Sequence, residues 1–88
     1  MSTYSRSLIT VSKSFFVEYY DIINSNVNPK SAAKYISKCN GRSYDGNLSR
    51  VYAGRRLIQL GVDKAVFEIV LSSNCSREIK QQAKTLLS

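Results

Sequence analysis

Lys30, Lys34 and Lys38 recur every fourth residue, and Arg42 follows four residues later. At about 100° of rotation per residue, the three lysines fall within roughly 80° of arc and share one side of a helix. Like charges at this spacing repel one another by roughly a few tenths of a kcal/mol per pair. The row is therefore tolerable as a solvated face, and favourable when something anionic lies against it. Ammonium heads on flexible stems suit phosphates, which they can neutralise without reading bases.

Arg50, Arg55 and Arg56 come next, close to Tyr44 and Tyr52. Arginine beside tyrosine is a pairing of base-stacking surfaces and of protein–protein hot spots alike. Tyr44 stands in a polar stretch and reads as an exposed contact. Tyr52 stands beside Val51 and Leu48 and reads as core. A helix, a loop bearing Arg42, Ser43 and Tyr44, and a second basic helix follow the order of a helix-turn-helix, with a loop longer than the usual three or four residues. Asn47, Ser49 and Arg50 would then open the recognition helix, where base edges are normally met. Arg77, Lys80 and Lys84 form a further basic row near the end of the chain and read as solvated surface.

Other chemistries are poorly supplied. The chain has no histidine and only two cysteines, Cys39 and Cys75. Without histidine the commonest general base is missing, and so is every Ser-His or Cys-His arrangement. Two thiols with no Cys-x-x-Cys spacing do not complete a tetrahedral zinc site, and they read as two small semi-buried side chains. Neither enzymatic activity nor a metal or other cofactor is expected. Thirteen Lys and Arg against six Asp and Glu leave a net charge of +7. That balance points to an acidic partner, either nucleic acid or an acidic protein surface, without choosing between them. No apolar run approaches the roughly 20 residues of a membrane span, and the opening residues lack the apolar core of a signal peptide. The expectation is a cytoplasmic protein that does not enter a membrane.

The elements that must position these residues read as helices throughout. Tyr4, Leu8, Val11, Phe15, Tyr19 and Ile22, widened by Phe16 and Ile23, form a helical stripe from Tyr4 to Ile23. Its broad aromatic face, if larger than one small core can cover, would make a homodimer interface. Asn28-Pro29 starts a second helix, as an N-cap followed by a proline whose missing N–H costs nothing there. This helix runs to about Cys39, with Gly41 just past its end and Ala32, Ala33, Ile36 and Cys39 on its apolar side. Arg42 to Gly46 reads as loop, Asn47 as the cap of a third helix reaching Leu60, and Gly61 as its stop. The apolar stretch Ala65 to Leu71 fits a buried strand or helix; with no partner strand in sight, it is expected to be a short buried helix capped by Asp63. Ser76 caps the last helix, whose apolar line is Ile79, Ala83 and Leu86. The sequence thus predicts one all-α domain over residues 1–88, a compact bundle of about five helices containing a helix-turn-helix-like pair.

Overall fold

A computed structural model describes residues 11–88 of the chain. Among them are six helices and no strand: α1 (Lys13–Glu18), α2 (Tyr20–Ile23), α3 (Pro29–Asn40), α4 (Tyr44–Gln59), α5 (Asp63–Leu71) and α6 (Arg77–Leu87). The Cα radius of gyration is 12.2 Å, close to the roughly 12 Å of a compact chain of this length. The expected all-α bundle is what forms.

The first stripe is not one continuous helix. Tyr4 and Leu8 lie outside the described residues, and the remainder is divided at Tyr19. There φ is −110° and ψ 22°, between α1 and α2. Phe15, Phe16 and Val17 are all buried. Three consecutive inward residues cover about 200° of arc, more than one face of a straight helix can bury. Core therefore surrounds α1 on more than one side, and the chain bends after it. Ser12 opens α1 at φ 64°, the only positive φ outside glycine among the described residues, and its Oγ accepts the Phe15 N–H at 3.3 Å. Phe15, Phe16, Val17 and Ile23 are buried in this chain's own core, with Tyr19, Tyr20 and Ile22 partly buried against it.

α3 starts and stops as expected. Asn28 Oδ1 accepts the Lys30 N–H at 2.8 Å, and Gly41 takes the left-handed conformation at φ 68°. Ala32, Ala33 and Ile36 are fully buried, but Cys39 is exposed. Asn40, half-buried, reaches toward α4.

α4 begins earlier than expected. Ser43, not Asn47, is the cap, and its Oγ accepts the Gly46 N–H at 3.3 Å. Asn47 lies inside the helix with no exposed surface. The loop before α4 shrinks to Gly41, Arg42 and Ser43, which is the usual length of a helix-turn-helix connection. Further along, α4 passes close to α2 at Gly54: a Cβ there would stand 3.0 Å from Ile23 Cγ2 and 3.4 Å from Phe16 Cδ1. Gly61 ends the helix at φ 72°.

The ambiguous apolar stretch is helical, as α5, with Val66, Phe67 and Val70 buried. Asp63 is its first residue rather than its cap, and its carboxylate accepts the Tyr20 phenol at 2.6 Å. Burial, then this hydrogen bond and the Asp63 charge, push the Tyr20 phenol up to about 12. Phe16, Tyr20 and Phe67 form the aromatic centre: Tyr20 sets its edge against both phenylalanines, at 5.5 and 5.0 Å between centroids. α6 is capped by Ser76, which accepts the Ile79 N–H at 3.3 Å, and it buries Ala83 with Ile79 and Leu86 beside it.

Candidate functional site

The basic residues singled out by the sequence divide into those that face solvent and those used to hold the fold. Lys30, Lys34 and Lys38 are all exposed, on the side of α3 away from buried Ala32, Ala33 and Ile36. Over eight residues they extend along about 12 Å of helix axis, which matches roughly three or four phosphate steps of one strand. The flank they occupy adjoins α4. Ser37 is the residue whose Oγ accepts the Asn47 amide at 2.8 Å, and Lys30 and Lys34 lie only about 20° and 60° around the helix from it.

Arg42 extends the row from the turn and is exposed. A relay of amides fixes its backbone. Asn47 Nδ2 donates to Ser37 Oγ at 2.8 Å and to Asn40 Oδ1 at 3.2 Å, and Asn40 Oδ1 also accepts the Arg42 N–H at 2.9 Å. Asn40 Nδ2 returns a bond to Asn47 Oδ1 at 3.2 Å. Asn47, expected at the opening of a recognition helix, is thus a buried strut that positions the turn. Arg42 also borders a small cleft of about 140 Å³ with Ser12, Ser14, Phe15, Glu18 and Asn40. Nearby, burial and the adjacent Glu18 raise the Tyr19 phenol, with Arg42 pulling against them.

The three arginines of α4 have three different fates. Arg56 is exposed. Arg50 is half-buried, its guanidinium 5.7 Å from the centre of the Phe15 ring and its Nη1 donating to Asn47 Oδ1 at 3.5 Å. Arg55 is occupied within the fold: Nε donates to the Ile23 carbonyl at 3.0 Å, and Nη2 to the carbonyls of Ile22 and Val27. At the end of α2 and in the chain leading into α3, one planar guanidinium gathers carbonyls past the helical ladder, the Ile22 carbonyl also accepting from Ser25. Arg55 therefore leaves the set of free cations.

The tyrosines exchange roles. Tyr44, expected in an exposed loop, is a half-buried residue in the first turn of α4, and Tyr52, expected in the core, is 53% exposed. The reason lies in Gly54, which takes the inward position with Asn47, Val51 and Leu57. Tyr52 then falls on the opposite side with Ser49 and Arg56. Tyr35 on α3, which no charge or motif spacing marks in the sequence, is also exposed, at 56%. A glycine in mid-helix, read as a packing position rather than a weak one, is the signal that turns Tyr52 outward.

Chemically, the outer side of α3 and its turn is an array of cations with no carboxylate in sequence from Ile22 to Tyr44. The first turn of α4 supplies little for reading base edges, because Asp45 is exposed there and Asn47 is turned inward. No helix among the described residues is long and apolar enough to cross a membrane, and no three potential metal ligands cluster among them. Comparison with protein-family models, with curated proteins and with solved structures finds no match to this chain.

Proposed function

We propose that this chain is a non-enzymatic accessory protein that binds nucleic acid through its phosphates, using α3 and the turn that follows. The observation carrying the proposal is the exposed row Lys30, Lys34, Lys38 and Arg42, within an acid-free stretch of chain. Arg56 adds a charge from α4. Arg50 is half withdrawn, and Arg55 and Asn47 belong to the scaffold. With no polar base-reading set at the start of α4, binding would depend on backbone charge and little on sequence.

A salt titration with a fluorescent DNA duplex and an RNA hairpin tests this. The expected result is binding at low salt whose logarithm falls linearly with the logarithm of salt concentration. No binding at low salt, or a slope near zero, overturns it. A second reading, docking on an acidic protein, is favoured by Tyr52 and Arg56 on one exposed side of α4, since these residue types dominate protein hot spots. It calls for a stoichiometric protein partner that survives nuclease treatment and is lost on Tyr52→Ala.

A further inference from the structure

A second basic feature lies away from α3, where the end of α5 meets α6. A cleft of about 350 Å³ is lined by Leu71, Cys75, Arg77, Lys80, Gln81 and Lys84. This volume is at the lower end of the roughly 300–1,000 Å³ of clefts that seat ligands. On α6 the four lining residues fall within about 100° of arc, and the acidic residue of that helix, Glu78, falls outside it. Three cations line the cleft and no carboxylate does.

The charge is reinforced by the helix itself. Arg77 is the first residue of α6, where the helix end is already partly positive and a cation is unfavourable. Lys80 and Lys84 repeat at the spacing at which like charges repel. Opposite these cations the cleft is apolar: Leu71, the last residue of α5, is 37% exposed, and Cys75 is half-buried. One wall is therefore cationic and the other small and hydrophobic.

From this we infer that the α5–α6 cleft is a docking site for an acidic segment of a partner protein that carries a leucine-sized apolar anchor. Carboxylates on the segment pair with Arg77, Lys80 and Lys84, and the anchor rests on Leu71 and Cys75. Unstacked bases, by contrast, stack on aromatic rings and guanidinium planes; no aromatic ring lines this cleft, and Arg77 brings its single guanidinium. A duplex backbone presents charge but nothing to fill an apolar wall. The inference is independent of nucleic-acid binding at α3.

Fluorescence polarisation with a short labelled peptide of repeating Glu-Glu-Leu tests it on the full chain, beside a Gln-Gln-Leu peptide and a labelled single-stranded oligonucleotide. The Glu-Glu-Leu peptide is expected to bind and the Gln-Gln-Leu peptide is not. K80Q/K84Q should weaken binding about tenfold or more, as loss of close charge pairs does, and Leu71→Ser should weaken it as well. K34Q/K38Q should leave it unchanged. Circular dichroism melts of each variant separate lost contacts from lost fold, and the charge-neutral glutamines avoid introducing new repulsion. Equal binding of both peptides, no binding of either, or full binding by folded K80Q/K84Q overturns the inference. So does displacement of the peptide by the oligonucleotide, lost on K80Q/K84Q, because nucleic acid would then be the occupant.

Discussion

Arg55 concentrates more structural work than any other cation among the described residues. Its guanidinium spans the carbonyls of Ile22, Ile23 and Val27, and a charged donor to such groups contributes about 1.5–3 kcal/mol per bond made. Arg55→Ala is therefore expected to destabilise the fold by about 2–3 kcal/mol, measured by urea denaturation. Arg55→Lys should recover only part of that, since an ammonium has no planar fork with which to span three carbonyls. Asn47 offers a comparable case: fully buried, it holds Ser37 and Asn40 together. Asn47→Ala leaves those partners without their amide and should cost about 1–3 kcal/mol. Native-like stability of either alanine variant would contradict the scaffold role of the residue replaced.

At the scale of elements, α3 packs chiefly on α4 and α5 on α6, and two local contacts tie the short α2 to α4 and to α5. Gly54 lets α2 approach α4. Alanine there would gain roughly 1 kcal/mol of helix propensity, but its Cβ would stand 3.0 Å from Ile23, itself 1% exposed and without room to retreat. Overpacking costs about 1–3 kcal/mol, so Gly54→Ala is expected to lower the melting temperature and Gly54→Val to lower it further. Tyr20 fastens α2 to the first residue of α5 through Asp63. Its phenol is held at about 12 in the folded chain against an ordinary value of 10.0. The folded state thus binds this proton more tightly than the unfolded state, and the stabilisation is complete below pH 10 and lost as pH rises from 10 toward 12. Tyr20→Phe should flatten the fall in stability across that window, read by denaturation at fixed pH values. An unchanged profile would mean that another group controls it. These elements also mark what the sequence discloses. Asn28-Pro29, Gly41, Gly61 and Ser76 act on backbone groups within a turn of themselves, so their roles are legible from neighbours in the chain. Ser43 and Asn47 compete as caps for the same helix, and the choice is made by Ser37 and Asn40 on another helix. Gly54 and Arg55 acquire their roles only when α2 lies against them, and Tyr52 is turned outward as a consequence. Of the proposed site, the row on α3 was legible because helical spacing alone defines it. The sorting of the α4 arginines was not, because tertiary carbonyls define it.

For the whole molecule, net charge and local charge make different demands. The body measures 30 × 28 × 21 Å, while charges in physiological salt are screened over about 8 Å. α3 packs chiefly on α4, and α6 packs on α5 and α1, so the two basic features have different neighbours and different surroundings. If the net charge of +7 alone drew nucleic acid to the surface, removing any two cations would weaken binding equally. If α3 is the contact, position matters. Each phosphate neutralised contributes about 0.9 to the salt slope on a duplex, so K34Q/K38Q should flatten that slope by about 1.8. R77Q/K84Q removes the same charge from α6 and should leave the slope nearly unchanged. Arg55→Ala, at a temperature where it remains folded, should also leave it unchanged, because its guanidinium is already engaged by carbonyls. Equal flattening by both double variants would place the interaction in the overall field of the protein and remove α3 as its site.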